Sequence, residues 1–364
     1  MTDEEALRAA VLAHPDDDTP RLVYADWCED AGQAERAAFV RAQVEAARAE
    51  PHSPTARTAA ATAKQLLAEY GETWTAHLSE AVSWYGFERG FVDEVGLHAT
   101  LLETGLEGVC AAEPLRRVQL LRGMAQIDDA PIEVALSSPR LAQLAALDLR
   151  HANLTASVEF ETVVECPQLE GVAELVFADL RVPPEWLSRF LASQHLPGLV
   201  ALDLSSIPNL GPALANGLTA ATHRRFRKLN VSGVRLLSGE LQRVLASRAL
   251  AAVEELHLGW TFPGPGPLTM LDIGWVTPWS RLRVLDLSGQ QLGPDGIREI
   301  VRKPEAAGLR WLGLAGNHIG AGGAKLLATA SHLNLYYLDV SNNKLDATDL
   351  AALRNRYPEA AIVS

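Results

Sequence analysis

Aligned on the spacing Leu-x-x-Leu-x-Leu, with Val, Ile or Phe allowed at the Leu positions, the chain repeats itself from Val92, Leu115, Leu144, Val172, Leu199, Phe226, Val253, Leu282, Leu309 and Leu335. The steps are 23, 29, 28, 27, 27, 27, 29, 27 and 26 residues, so eight of nine fall between 26 and 29, a regularity that chance does not produce. A fixed period of this length means stacked units that share one continuous core. It also explains how 364 residues exceed the size at which a single ordinary core stops growing.

Each unit can be read from its residues. In LRVLDLS, Leu285 and Leu287 are two apart and share one face of a short strand, which leaves Val284, Asp286 and Ser288 on the other. The segments GPDGIREIV and GAGGAKLLA open on glycines and continue with helical apolar spacing, so a turn leads into a helix. Strand, turn and helix in strict alternation force the strands to stack in parallel. Strands pack about 4.8 Å apart and helices about 8 to 10 Å apart, so the array bends with its helices outside. The expected fold is an α/β solenoid, a curved horseshoe with a concave parallel sheet and outer helices.

The motif as it stands in LRWLGLAGNHI from Leu309 and LYYLDVSNNKL from Leu335 resembles the leucine-rich repeat, and the step of about 27 residues resembles its ribonuclease-inhibitor-like class. The resemblance spans about Val92 to Leu345. It implies an Asn two residues before the last Leu of the motif, with its side chain bonded to neighbouring backbone; Asn317 and Asn343 match, whereas Gln290, Ala152, Leu180, Ile207, Val234 and Thr261 depart from it. One unit departs further. Residues 261 to 280, TFPGPGPLTMLDIGWVTPWS, hold four prolines and three glycines, which predicts an irregular loop with at most one short helix around Leu268 to Val276.

Ahead of the repeats, EALRAAVLAHP, TPRLVYADWCEDAG, ERAAFVRAQVEAARAE and SPTARTAAATAKQLLAEY show helical spacing broken at Pro15, Gly32 and Pro51, with Asp16 to Thr19 before Pro20 as a helix start. Four helices are expected as an all-α cap over residues 1–83, with the repeat domain occupying 84–364. The stretch DDDTPRLVYADWCEDAG with AAFVRAQVEA resembles the short bacterial repeat-companion domain that precedes leucine-rich repeats, and GFERGFVDEV also looks typical of such proteins. Trp27 is expected to pack between helices, and Asp26 to bond a neighbouring backbone or Arg21. Covering the first repeat's open apolar end is reason enough for such a domain.

Charge and composition exclude several functions. Met1 to Ser83 carries 15 acidic and 7 basic residues and the remainder 30 and 25; an acidic surface lacks the Lys and Arg footprint that nucleic-acid binding draws on, so no nucleic acid is expected as partner. The acidic start, MTDEEALRAAVLAHPDDD, is unlike an export signal, and no apolar run is long enough for a membrane span, so a cytoplasmic location and no membrane partner are expected. Cys28, Cys110 and Cys166 are odd in number and far apart, which fits reduced thiols rather than disulfides or zinc ligands. There is no HExxH, GxSxG, paired CxxC or GxxxxGK[ST]. GNHIGAGGAK, Gly316 to Lys325, has the wrong glycine spacing for a phosphate loop, and Cys166 sits before Pro167 with no nearby His. No catalytic, cofactor or metal residues are assigned.

The concave face is then the candidate site. In the repeat register its central positions are Gln119, Asp148, Val176, Asp203, Asn230, His257, Asp286, Gly313 and Asp339, expected to be exposed; two residues earlier stand Arg117, Ala146, Glu174, Ala201, Lys228, Glu255, Val284, Trp311 and Tyr337. Glu255, His257, Asp286, Trp311, Tyr337 and Asp339 should cluster near the C-terminal end with Trp260 at the rim. Aromatics beside unpaired carboxylates have the composition of a protein-binding hot spot; the competing reading is Asp bonding within the sheet and Trp311 packing on Tyr337. The basic run HRRFRKL, His223 to Leu229, reads as a solvated edge. The function expected is a non-catalytic scaffold binding a protein through this face and the 261–280 loop, with no cofactor and no small-molecule substrate. The alternative is a regulator of a partner enzyme resembling the leucine-rich-repeat GTPase activators, for which Arg150 and Arg122 are candidates.

Overall fold

The computed structural model describes residues 2–122, 132–261 and 279–364; the expectation of an irregular loop over 261–280 lies almost wholly outside them. The chain divides into two compact units, Met1–Asn153 with Cys166–Gly171, and Leu154–Glu165 with Val172–Ser364.

The first unit opens with four helices, α1 (Asp3–Ala13), α2 (Asp18–Asp30), α3 (Ala34–Arg48) and α4 (Pro54–Thr75). Three start where the sequence supplies a cap. Thr2 and Glu5 form a reciprocal capping box, Asp17 accepts the Thr19 amide at 2.8 Å, and Ser53 accepts the Ala56 amide at 3.1 Å with Pro54 in the first turn. The helices stop ahead of Pro15, Gly32 and Pro51 as the breaks require. Val11, Tyr24, Ala25, Cys28, Ala37, Val40 and Val44 bury one face together with Phe91. Trp27 packs against this cluster, 6.0 Å from the Tyr24 ring, while Asp26 pairs with Arg41 at 2.7 Å rather than with Arg21.

GFERGFVDEV folds as a hairpin. Strand β1 (Val82–Glu88) pairs antiparallel with β2 (Phe91–His98) through a two-residue turn whose Arg89 and Gly90 have φ of 50° and 89°, the left-handed pair that suits strand twist. Gly90 also lets helix α3 approach, since a Cβ there would stand 2.9 Å from the Val40 Cα. Helix α5 (Leu102–Ala112) leads to β3 (Arg117–Leu121), the short α6 (Ile132–Ala135) follows, and β4 (Ala146–Asp148) closes the unit, with β2, β3 and β4 parallel.

The second unit holds eight parallel strands in chain order: β5 (Glu174–Val176), β6 (Ala201–Asp203), β7 (Lys228–Asn230), β8 (Glu255–His257), β9 (Val284–Asp286), β10 (Trp311–Gly313), β11 (Tyr337–Asp339) and β12 (Ala361–Val363). Its described helices are α7 (Ser157–Val164), α8 (Pro184–Ala192), α9 (Gly211–Ala220), α10 (Ser238–Leu245), α11 (Gly293–Val301), α12 (Gly320–Thr329) and α13 (Ala347–Arg356). Where helices follow one another without a break they pack side by side, as α8 does on α9 and α12 on α13. The paired leucines of each strand, such as Leu256 and Leu258 or Leu285 and Leu287, are at most 1 % exposed, as are Leu214, Leu241, Ile297 and Leu327 of the helices. Each such side chain contributes roughly 1.5–3 kcal/mol of burial. All ten aligned motifs thus start the strands β2 to β11, and the fold is an α/β leucine-rich-repeat solenoid.

The asparagines act as the motif implies. Oδ1 of Asn317 accepts the amides of Gln290 (2.9 Å) and Leu292 (3.2 Å), and its Nδ2 donates to the Leu287 carbonyl at 2.8 Å. Asn343 repeats the pattern one unit later. In the unit that has Gln at this place, Gln290 stands in by donating to the Leu258 carbonyl and to Thr261 Oγ1.

Candidate functional site

Register fixes which side chains can meet. Across strands β8 to β11 the first row reads Glu255, Val284, Trp311 and Tyr337, and the second His257, Asp286, Gly313 and Asp339. With strands about 4.8 Å apart, neighbours in a row are in contact. The rings of Trp311 and Tyr337 stack, with centroids 4.9 Å apart and planes 2° from parallel. His257 stands 6.0 Å from Trp311 at 58°. Gly313 makes this possible: a Cβ there would lie 2.8 Å from the Trp311 ring and 2.5 Å from Asp286 Oδ1. The missing side chain is the slot over which the indole leans.

Two expectations need correcting. The two aspartates are not unpaired: Asp286 Oδ1 accepts the Ser288 amide at 2.9 Å and the Ser288 hydroxyl at 2.7 Å, and Asp339 Oδ1 accepts the Ser341 amide at 2.9 Å. Asp203 and Asn230 do the same with Ser205 and Ser232. An Asp at the strand end bonds its own backbone two residues on, the Asx turn that short polar side chains favour. Nor is the central row open to solvent. Glu255, His257, Asp286, Trp311, Tyr337 and Asp339 are half-buried, and Gln119, Val176 and Gly313 are buried, because adjacent side chains on a tight parallel sheet cover one another. Lys228 is also committed, reaching over Ala201 to Glu174 Oε1 at 3.2 Å.

Trp260 has the property that the sequence reading missed. The residue three places beyond the strand end adopts a left-handed backbone in seven successive repeats, at Asp179, Ser206, Gly233, Trp260, Gly289, Gly316 and Asn342. Six of those positions hold Gly, Asn, Asp or Ser. Trp260 holds φ +57°, where a bulky residue is disfavoured by about 1 kcal/mol or more, and is 61 % exposed. Its ring lies over the backbone of Gly289 and Gly316, where a Cβ would come within 2.2 Å and 2.9 Å of it. The signal was available in the alignment, as an aromatic standing in a column of small and turn-forming residues.

Burial holds the His257 imidazole below its ordinary pKa, against the upward pull of Asp286 and Glu255. Its sign for stability follows from linkage. The unfolded chain takes up the proton first, so the contribution of His257 is complete above the ordinary imidazole value of 6.5 and is lost as pH falls through the lower folded value. A series of melting temperatures from pH 7.5 to about 5 should therefore decline less steeply in His257→Gln than in the parent; parallel curves would show that this imidazole is not coupled to folding.

Other candidates are tied down. Arg150 pairs with Asp148 at 2.8 Å and Arg122 donates to the Ala152 carbonyl at 3.2 Å. Burial pushes all three cysteine thiols up, away from the reactive thiolate, and Cys166 Sγ contacts Gln168 and the Leu136 carbonyl. HRRFRKL is not wholly a solvated edge, since Arg224 is 4 % exposed. Among the described residues no group of His, Cys, Asp and Glu is placed to hold a metal ion, and no helix is long and apolar enough to cross a membrane.

No family model matches the sequence, and no curated protein matches it. Among solved structures it is similar to TLR13 in its complex with ssRNA13, at 17% identity over 69% of this chain and 36% of that one, with a TM-score of 0.36. It is also similar to a leucine-rich-repeat protein of Leptospira interrogans, at 15% identity over 71% of this chain and 74% of that one, with a TM-score of 0.37. The mouse RP105/MD-1 complex matches at 14% identity over 74% of this chain and 60% of that one, with a TM-score of 0.32. This chain thus spans about a third of the length of the TLR13 chain it matches.

Proposed function

We propose that the chain is a non-catalytic protein-binding module that engages its partner through the open sheet face of strands β8 to β11, with Glu255, His257, Trp260, Asp286, Trp311, Tyr337 and Asp339 as the contact residues. The observation that carries this reading is Trp260, a large aromatic held in an unfavourable backbone conformation and left exposed, its ring over Gly289 and Gly316, in repeats next to those that carry the stacked Trp311 and Tyr337. Stability alone would favour Gly or Asn at that position, as in the neighbouring repeats. Exposed and half-buried aromatics at the centre of a patch are the side chains that dominate interface energies.

Within this reading the repeats are of the ribonuclease-inhibitor-like class, supported by the step of about 27 residues and by the buried rungs at Asn317 and Asn343. Residues 1–83 are read as a repeat-companion domain whose helices cover Phe91 of the first repeat.

The test separates binding from folding. Trp260→Asn places a residue that accepts the left-handed backbone, so its melting temperature should equal or exceed that of the parent. Partner capture by this variant, and by Trp311→Ala with Tyr337→Ala, should weaken by about 30-fold or more, the range of an interface hot spot. A folded Trp260→Asn protein that retains its partners as the parent does would remove the concave face as the site.

A further inference from the structure

The first unit contains a cavity of about 440 Å³ walled by strand residues of the hairpin and β3 and by the start of the helical segment. Arg21 lines it and is 1 % exposed. Its Nε and Nη1 are buried and have no hydrogen-bond partner among the described residues. The three other arginines of the cavity are each matched to a carboxylate. Arg116 bonds Asp16, Arg89 faces Asp18 at 3.6 Å, and Arg117 faces Asp93 at 3.6 Å. Among the described residues Arg21 has no carboxylate within ion-pair distance; Asp18, Asp93 and Glu88 act on its charge from further away, and its aromatic neighbour is Phe91, 5.6 Å from the guanidinium to the ring centroid. A buried guanidinium whose N–H groups lack acceptors is costly, because hydrogen bonds lost to water are not replaced, and an apolar residue of the same volume would serve packing better.

We propose that this cavity is a binding site for a small carboxylate, with Arg21 as the residue that takes its negative charge. Guanidinium N–H groups without acceptors call for a ligand oxygen, and a carboxylate supplies acceptors for charge-assisted hydrogen bonds. The Asp93, Glu88 and Glu94 side chains in the same wall oppose a doubly charged phosphate. Phe87, Pro15 and Ala145 offer apolar surface to the body of the ligand. The volume falls within the usual range of small-molecule sites. This proposal is independent of the protein-binding face and stands if that reading fails.

Titration of the full chain with benzoate, acetate and inorganic phosphate at fixed ionic strength, followed by calorimetry and ligand-observed NMR, tests it. Benzoate should bind saturably, and phosphate at pH 8 more weakly. Arg21→Met should fold at least as stably as the parent and bind benzoate at least about tenfold more weakly, the effect of losing hydrogen bonds to a charged group. Should Arg21→Met fail to fold, Arg117→Gln at the cavity wall decides the matter through a weakening of about threefold or more. Absence of saturable benzoate binding to the parent overturns the proposal, as does undiminished binding by a folded Arg21→Met protein. Tighter binding of phosphate than of benzoate overturns its assignment to carboxylates.

Discussion

Replacing Arg224 by alanine is expected to lower the unfolding free energy by about 3–5 kcal/mol, a large share of what a domain of this kind possesses. The side chain is 4 % exposed and has no acidic partner among the described residues. Its Nε donates to the Leu191 carbonyl at 3.0 Å, Nη1 to Leu196 at 3.4 Å, and Nη2 to Phe190, Ser193 and His195 at 3.1, 3.3 and 2.9 Å. These carbonyls belong to the end of helix α8 and the turn after it, where the last backbone acceptors lack intrahelical donors. The guanidinium also lies 4.8 Å over the Phe190 ring, and its charge meets the negative end of the helix dipole. Burial pushes its pKa down to about 10, so it stays a cation at neutral pH. Alanine would strand several acceptors at once. Arg224→Lys should recover only a small part, because one ammonium cannot reach carbonyls spread around a planar fork. Urea denaturation decides the matter, and a loss below about 1 kcal/mol for Arg224→Ala would show that water replaces the guanidinium at little penalty.

The same device recurs near the C-terminus, which argues that it belongs to the repeat rather than to one site. Arg356 of helix α13 donates through Nε and Nη2 to the Ala330 carbonyl at 3.2 and 2.7 Å, and through Nη2 to Leu333 at 2.7 Å, closing the end of helix α12. An arginine from one repeat finishes the helix of the one before it. In HRRFRKL the basic character was visible but its direction was not: sequence records a charge, whereas burial depends on whether five carbonyls happen to converge on it. The available hint was the place of Arg224 two residues ahead of the buried Phe226. Arg36 escaped notice for the same reason. It is 5 % exposed, donates to the Gly90 carbonyl at 2.7 Å, and stands within 6.0 Å of the rings of Tyr24, Phe39, Trp74, Phe87 and Phe91.

The repeat itself was legible because it rests on period-2 burial, glycine-led turns and a 27-residue step, each of which is a local property. The first hairpin was harder to see, since Arg89-Gly90 is a weaker turn signal than Asn-Gly and the motif alignment begins only at Val92. At the candidate site, strand register follows from the alignment, so the juxtaposition of Trp311 with Tyr337 and of His257 with Asp286 was foreseeable. The state of the carboxylates was not. Whether Asp286 offers a free oxygen to a partner or closes on Ser288 depends on the backbone path after the strand, and a left-handed residue at Gly289 sets that path. In the proposed protein-binding face, Asp286 and Asp339 would then contribute chiefly by holding the rim in shape, with the aromatics as the main contacts.

Asn343→Ala should be almost as damaging as the loss of Arg224, at about 3 kcal/mol, but in a different manner. Its Oδ1 accepts the amides of Asn317 (2.9 Å) and Ile319 (3.2 Å) from the preceding repeat, while Nδ2 donates to the carbonyls of Leu314, Val340 and Ser341 at 2.7, 3.0 and 3.1 Å. The side chain is 2 % exposed, so alanine leaves donors and acceptors buried without partners. Because its bonds run to one neighbouring repeat only, the damage should be local, as nearest-neighbour coupling in a solenoid requires. Hydrogen exchange is expected to quicken across residues 309–345 while the amides of strands β5 to β7 keep their protection. Asn317 rests on the same backbone, its own amide being one of the donors to Asn343. The double variant with Asn317→Ala should therefore cost less than the two single losses added together, by about 0.5–1 kcal/mol, since the turn freed by the first substitution is already part of what the second would free. Strict additivity, or a uniform rise in exchange through the whole second unit, would mean that the rungs act as separate bonds in a globally cooperative core rather than as links in a chain of coupled repeats.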